Sequence, residues 1–514
     1  MSLNNNKHIM KKVILLLLIF TIAQTGFAQA KRTLTLDEVI ELAKQNSRSA
    51  NTARASMTFG YWRYRVFRSS LTPQLSLTGT LPAWNRDVFS NTDDDGVVQF
   101  QERNQNNSDL GLSFQQVLPW TNTTVALNTS IRRFDDFERD ITAYSGVPLN
   151  LSIRQPLFAV NNFKWSQKIQ PKLYEESRKS FAEEMEDISR TASTFFFRLL
   201  EEQINLQIAE QNVSKNDTIY NIENGRYNIG TTTEDQLLQT ELDLLTAQSD
   251  AQQARLDVQT RALDLRNFIG LTDNVEIELI PPAEIPILNL DAEKALQYAQ
   301  ENRADYVAFE RQRLEADQGI ANARAQRFSA DLFASFGYNN QAGNFGDVYQ
   351  DPNNQSIIRL GFNLPILDGG RNKARMGQAR ASQQLTEFNI QQNIVNFEQE
   401  IETAVRNFDQ IRNQIDISKK REEIALKRFD ITNNRYLIGK VDILTLTNAR
   451  SAKDQAIRTY ISSLRQYWEA YYELRRLTLY DFLMGEQLYN PLLEYDPSVG
   501  DVVVREADPK KEDQ

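Results

Sequence analysis

The sequence lacks the residues on which most catalytic and metal sites depend. Its 514 residues include no cysteine and only one histidine. The absence of cysteine excludes disulfides, thiolate metal sites, iron–sulfur clusters, cysteine nucleophiles and a lipid anchor on cysteine. The one histidine, His8, falls in a segment that we predict to be removed, so the mature chain also lacks imidazole. We therefore predict that the protein is not an enzyme and holds no metal or cofactor.

Long apolar runs are missing as well, except at the N-terminus. Elsewhere no run approaches the ~18–20 apolar residues that a membrane-spanning helix needs. A basic pair at residues 11–12 precedes an apolar run over residues 13–20, and residues 28–30 read Ala-Gln-Ala. This succession of basic, apolar and small residues is typical of a secretory signal peptide. We predict that residues 1–30 are removed on export.

Positive charge is in deficit. The chain has 58 basic and 68 acidic residues, a formal net charge of −10. A protein that binds the phosphate backbone needs a basic surface. We therefore predict no nucleic-acid partner.

A five-residue motif occurs twice, 209 residues apart, and each copy lies between two long helical patterns. The copies are Arg226-Tyr227-Asn228-Ile229-Gly230 and Arg435-Tyr436-Leu437-Ile438-Gly439. A proline-rich stretch at 281–286 separates the two halves. Self-similarity of this kind indicates a tandem duplication. We predict two structural repeats, 31–280 and 281–485, followed by a polar C-terminal tail over 486–514.

Each repeat contains a predicted helical hairpin, at about 165–269 and about 371–484. After Pro171 the first pattern has no proline or glycine up to about residue 224, so its helix would be roughly 80 Å long. In the second hairpin, apolar residues recur at alternating spacings of three and four, which is typical of a coiled-coil seam. The seam residues are Ile394, Phe397, Ile401, Ala404, Phe408, Ile411 and Ile415. We predict long antiparallel coiled-coil hairpins.

Between the helices lie predicted strands, over about 74–158 and about 330–366. Their apolar and polar residues alternate over ~9–11 positions, which is the period and length of a transmembrane β-strand. We count four such strands in the first repeat and two in the second. Polar stretches at 91–107, 135–148 and 340–354 are predicted to be extracellular loops.

A few strands cannot close a barrel alone, and open sheet edges are not tolerated in lipid. The predicted fold class is therefore mixed α and β, with strands contributed to a barrel shared by a homo-oligomer. Two alternatives remain open. The chain could be a periplasmic coiled-coil scaffold whose strands form a soluble sandwich, or a carboxylate-based outer-membrane hydrolase, although no carboxylates pair into a recognisable site.

Several segments together resemble the TolC-like outer-membrane efflux family. They are the stretch 34–43 (Leu-Thr-Leu-Asp-Glu-Val-Ile-Glu-Leu-Ala), the paired Arg-Tyr-x-Ile-Gly turns, the stretch 439–449, and the strand endings 155–157 and 364–366. The resemblance covers nearly the whole mature chain. Single motifs are loose, but their order and duplication are specific.

The resemblance implies a homotrimer in the outer membrane of a Gram-negative bacterium. In it, a β-barrel in contact with outer-membrane lipid stands over a long helical periplasmic tunnel. The resemblance also implies a periplasmic adaptor protein and an inner-membrane pump of RND or ABC type, with the channel itself conducting substrate passively. The residues implied to dock the adaptor lie at the hairpin tips: Arg226, Tyr227, Ile229, Gly230, Thr231, Arg435, Tyr436, Ile438, Gly439 and Lys440.

The resemblance also implies a gate at the tips, where Tyr436 matches a position that helps to latch the closed state. The family often carries a ring of aspartates inside the aperture, and those positions are Thr445 and Asn448 here. The remaining aperture candidates are nearby carboxylates: Asp442, Glu234 and Asp235. A second departure is the strand count. Familiar members have four strands per subunit and this chain has six, so either the barrel has eighteen strands or the extra hairpin folds elsewhere.

Overall fold

The computed structural model describes residues 31–504, apart from residues 93, 273–275, 283, 284, 287 and 289. The predicted signal peptide and the last ten residues of the polar tail lie outside the described residues. The chain divides into two compact units. The first takes its residues from Met1–Ser56, Ser180–Arg303 and Glu398–Leu493, and the second from Met57–Lys179, Ala304–Phe397 and Glu494–Gln514. Each unit thus combines segments from both sequence repeats.

Helices make up most of the described chain, and four of them are long. The helices are α1 Leu36–Asn46, α2 Arg48–Ser70, α3 Asn162–Asn228, α4 Glu234–Ile269, α5 Ala292–Asn302, α6 Ala304–Ala325, α7 Arg371–Leu437 and α8 Ile443–Thr478. Helix α1 begins with a capping box, in which Thr35 accepts from the Glu38 amide and Glu38 accepts from the Thr35 amide. Among the described residues, no helix combines the length and apolarity needed to cross a membrane.

In the first unit, apolar side chains of the long helices are buried as their spacing predicts. Ile401, Phe408 and Ile415 of α7 are almost fully buried, and the Phe408 ring lies 5.2 Å from that of Tyr467 on α8. A short parallel pair, β1 Lys31–Leu34 and β7 Glu276–Leu279, joins the two ends of the first sequence repeat. Small C-terminal strands, β10 Tyr480–Asp481 and β11 Glu486–Gln487, pair with each other.

The second unit contains one antiparallel sheet. Its strands are β2 Gln74–Thr80, β3 Trp84–Thr92, β4 Val98–Leu118, β5 Thr123–Asp136, β6 Ile141–Leu157, β8 Ser329–Ala342 and β9 Asn353–Asn363. The order is β2-β4-β5-β6-β8-β9, and β3 also pairs with β4. Strands β2 and β3 lie opposite successive stretches of β4, so together they fill one position. The sheet therefore has six positions, and the extra hairpin lies within it rather than elsewhere. A final pair, β12 Leu493–Asp496 and β13 Asp501–Val504, belongs mostly to this unit.

Two of the predicted loops are wrong. The stretch 91–107 is mostly strand, because β3 and β4 continue through it as a hairpin, and the loop predicted at 135–148 shrinks to residues 137–140. Apart from a short alternation at residues 98–101, these strand extensions carry polar residues on both faces, so no apolar and polar alternation continues over the length of a strand. Cross-strand pairs such as the ion pair of Arg103 with Asp87 hold them instead. The third predicted loop, 340–354, contains a short 3-10 helix, Gly346–Tyr349.

Candidate functional site

Both repeated motifs form the same helix-ending turn. Gly230 and Gly439 have φ angles of +76° and +73°, a left-handed conformation that favours glycine. The Thr231 amide donates to the Arg226 carbonyl at 2.9 Å, and the Lys440 amide donates to the Arg435 carbonyl at 2.8 Å. This pattern satisfies the last carbonyls of α3 and α7. The motif therefore places two equivalent tips, one on each hairpin.

The helices that follow the two turns begin with side-chain caps. Thr233 accepts from the Gln236 amide at 3.3 Å, and Asp442 accepts from the Thr445 amide at 2.8 Å. Hydrogen bonds from the Thr445 side chain and amide hold the pKa of Asp442 below its usual value. Asp442 is therefore a fixed negative charge at the start of α8, where it also interacts favourably with the positive end of the helix dipole.

The other aperture candidates are exposed near these helix starts. Thr445 and Asn448 lie three residues apart, and hence on one face, in the first turns of α8, while Glu234 and Asp235 open α4. The tip residues Ile229, Ile438, Arg435 and Lys440 are also exposed. Each turn thus carries an exposed isoleucine directly before its glycine.

The two tyrosines of the repeated motif have different environments. Tyr227 is 41% exposed, whereas Tyr436 is 2% exposed. The Tyr436 hydroxyl donates to Glu223 Oε1 on α3 at 2.7 Å, and Arg226 Nη1 donates to the same oxygen at 2.7 Å. The Arg226 guanidinium also lies 5.3 Å from the centre of the Tyr436 ring, within cation–π range. We call Tyr436, Glu223 and Arg226 the tip cluster, and it joins the second hairpin to the first.

The tip cluster keeps Glu223 ionised. Burial raises the pKa of Glu223, but hydrogen bonds from Tyr436, Thr232 and Arg226, together with the Arg226 charge, outweigh it and leave the pKa below its usual value. Burial and the bond to Glu223 both raise the pKa of Tyr436. At neutral pH the cluster therefore contains a neutral phenol, a carboxylate and a guanidinium, with complementary charges in contact.

Tyr436 and Arg226 were among the site residues expected from the sequence, whereas Glu223 was not. The residue 209 positions later is Thr432, so the repeat does not mark this carboxylate. The only local signal is its position three residues before Arg226, on the same face of α3. That spacing is common on helix surfaces and did not distinguish Glu223 from its neighbours.

Further along the first unit, polar contacts join α3 to α8. Asn212 Nδ2 donates to Asp454 Oδ2 at 2.9 Å, and Arg465 Nε donates to Glu201 Oε1 at 3.1 Å. The same antiparallel arrangement pairs Arg450 with Asn216 and Arg458 with Asn205. Polar side chains, which tolerate hydrated surroundings, therefore contribute a series of contacts between the two hairpins of one chain.

The sheet of the second unit is inside-out. A row of residues that pair directly across neighbouring strands crosses all six strand positions. Their side chains lie on the same face of the sheet, and the apolar ones are exposed. The row consists of Leu75, Phe114, Leu127, Leu151, Phe336 and Ser356. Leu75, for example, is 65% exposed. A sheet of a water-soluble protein buries such a face.

The opposite face is polar, and its side chains bond to one another. Ser113 Oγ donates to Asn128 Oδ1 at 2.6 Å, and Asn150 Nδ2 donates to Ser335 Oγ at 2.7 Å. Asn150 is 8% exposed and Ser335 is 4% exposed. The polar face is thus the more buried one, which reverses the arrangement of a sheet that has one face on a protein core and the other in water.

The sequence profile of the outer membrane efflux protein family matches residues 39–271 and 295–478, one segment in each repeat. The chain belongs to this family. Outer membrane efflux proteins are channels and not enzymes, so both the predicted function and the predicted absence of catalysis are confirmed. They reside in the outer membrane of Gram-negative bacteria and act as trimers with adaptor and pump proteins. The scaffold alternative is not favoured.

Solved structures of outer membrane channels are similar to this outer membrane efflux protein. The Campylobacter jejuni CmeC channel is 16% identical, with 88% of this chain and 87% of that chain covered and a TM-score of 0.62. The Neisseria gonorrhoeae MtrE channel in its open state is 17% identical, covering 86% and 88%, with a TM-score of 0.58. CusC is 16% identical, covering 88% and 92%, with a TM-score of 0.61. At these identities the likeness establishes the fold alone. No curated protein matches the chain.

Proposed function

We propose that three copies of this chain form a passive duct, with a shared β-barrel in the outer membrane and hairpins that form a periplasmic tunnel. The observation that carries the proposal is the inside-out burial of the sheet. An exposed apolar face and a hydrogen-bonded polar face fit lipid outside and water inside. A hydrated lumen lets solutes pass without chemistry, in keeping with the absence of cysteine and mature histidine.

We further propose that the hairpin tips dock a periplasmic adaptor. Ile229 and Ile438 are exposed apolar side chains at the ends of long helices, and Arg435 and Lys440 place basic groups beside Ile438. An apolar centre with a charged rim is the usual composition of a protein interface. The chain carries no glycine-rich nucleotide loop, so the energy for transport would come from an inner-membrane pump, of RND or ABC type.

The tip cluster serves as the latch of the closed state in this proposal. While Tyr436 and Arg226 both bond to Glu223, α7 stays against α3 at the tip. The aperture candidates on α8 and α4 would then set the polarity and the charge at the entrance: Asp442, Glu234 and Asp235 are acidic, and Thr445 and Asn448 are neutral and polar. Adaptor binding opens the tip only if the adaptor contacts the separated state better than the latched one.

The test is purification of the mature chain in detergent, followed by electron microscopy and conductance measurements in planar bilayers. We expect a three-fold particle with a detergent belt at one end, and discrete channel currents. A water-soluble monomer or dimer without a belt would contradict the duct and restore the periplasmic scaffold.

A further inference from the structure

The six-position sheet ends in two edge strands with matching surfaces. Within the described residues, β2 pairs only with β4, and β9 pairs only with β8. Both edges present highly exposed apolar side chains on the same face of the sheet: Leu75 and Leu77 of β2, and Ile358, Leu360 and Phe362 of β9. Unpaired backbone groups are not tolerated in lipid, so both edges need a partner strand there.

We infer that β9 of one copy pairs antiparallel with β2 of the next copy, so that three copies close an eighteen-stranded barrel. This inference rests on the trimer and the lipid-facing sheet proposed above. Three copies of six strand positions give eighteen strands, whereas four strands per subunit would give twelve. The additional hairpin of the first repeat makes the difference, because it is inserted into the sheet and not folded onto it.

Neighbouring strands of the sheet are offset along their length, and this offset determines which residues of β9 and of the next copy's β2 lie opposite each other. The row that begins at Leu75, near the helical end of β2, reaches β9 at Ser356, near the opposite end of that strand. Six residues separate Ser356 from Phe362, which lies at the helical end of β9. If the helical ends of neighbouring copies are level, Phe362 lies opposite Leu75 of the next copy, and Leu360 lies opposite Leu77.

The strand tilt supports this register independently. A stagger of six residues over six strands, at ~3.3 Å per residue and ~4.8 Å between strands, tilts the strands by about 35°. Transmembrane barrels tilt by about 35–45°. A one-residue slip is excluded, because it would place Leu77 opposite a lumen-facing position of β9. The proposed pairing therefore extends the apolar face without interruption from one copy to the next.

An eighteen-stranded barrel is wider than a twelve-stranded one. With the same strand spacing and the tilt of about 35° given by this register, its diameter between opposite backbones is about 34 Å, compared with about 23 Å for twelve strands. The inward-facing residues, such as Ser113, Asn128 and Asn150, would line this wider and polar opening.

Disulfide crosslinking tests the pairing, and the cysteine-free sequence makes it clean because every disulfide must come from introduced residues. One chain carries Leu77→Cys and a second, differently tagged chain carries Leu360→Cys, and the two are expressed together. Only contacts between copies can then link them. We expect a disulfide-linked pair that carries both tags after mild oxidation of the membrane-embedded trimer. The matched control is Thr78→Cys with Leu360→Cys, whose side chains lie on opposite faces and should stay unlinked.

The outcomes separate this inference from the function on which it rests. An intact trimer in which Leu77→Cys fails to link Leu360→Cys, and in which electron microscopy resolves twelve strands, would overturn the inference and leave the duct standing. A chain that does not form a trimer in detergent would overturn the proposed function itself. Eighteen resolved strands together with the expected link would confirm both.

Discussion

The Tyr436 hydroxyl donates to Glu223 Oε1 at 2.7 Å, whereas Tyr227, its counterpart in the other repeat, is an exposed side chain at an equivalent turn. Duplicated sequence has therefore produced one buried and one free tyrosine. The two tyrosines are therefore a natural pair for testing the proposed latch. Replacing Tyr436 by Phe removes a hydrogen bond of the tip cluster, whereas the same substitution at Tyr227 leaves the tip cluster intact.

We expect Tyr436→Phe to favour the open tip. The substitution keeps the buried ring but removes the donor to an ionised carboxylate, a bond that contributes about 1.5 kcal/mol or more to stability. A loss of that size shifts the closed-to-open ratio by about tenfold. Single-channel recordings in planar bilayers should show a higher open probability or conductance. The matched control Tyr227→Phe should behave as the unmodified channel, and an equal effect of both substitutions would argue against a latch at Tyr436.

The latch should also weaken in acid. The pKa of Glu223 is lower in the folded tip than its ordinary value of 4.5. A carboxyl group with a depressed pKa contributes stability that is fully present above the unfolded pKa and is lost as the pH falls through the folded pKa. We expect constant gating from neutral pH down to about pH 5, and increasing opening below about pH 4. Glu223→Gln should remove this pH dependence, while closing on acidification would contradict the assignment.

The contrast between the tips shows how far sequence reasoning reached. The glycine turns were predicted because Gly230 and Gly439 are local features, and the strands were predicted because one face of each is apolar. Glu223 could not be predicted, because its role depends on how α3 and α7 are aligned in three dimensions. The hairpin of β3 and β4 could not be predicted for a related reason: its strands are stabilised by cross-strand pairs such as Asp87 with Arg103, which leave no periodic pattern in the sequence.

A side chain at either tip glycine should destabilise the turn. In the described part of the structure, no heavy atom beyond the adjacent residues lies within 4 Å of a Cβ added at Gly230 or Gly439, so the penalty of Gly→Ala comes from the left-handed backbone alone. That penalty is about 1 kcal/mol. We expect either substitution to lower the unfolding temperature of the purified channel. Gly225→Ala is the control, since Gly225 lies within α3 with equally open surroundings, and there alanine should stabilise the helix by about 0.5–1 kcal/mol. A stabilising effect at the turns would contradict the capping role.

The orientation of the sheet can be tested with one charge placed on either face. Leu112 lies on the exposed apolar face of β4, whereas Gln115 lies on the opposite face of the same strand. A lysine on the lipid face costs about 2–4 kcal/mol at the middle of the bilayer and less near its edges, while a lysine in a water-filled lumen costs little. We therefore expect Leu112→Lys to reduce the amount of trimer recovered from the outer membrane, and Gln115→Lys to leave it unchanged. Because both variants add the same charge to the same strand, a reversed result would mean that the apolar face lines the interior, and the lipid-facing assignment of the whole sheet would be wrong.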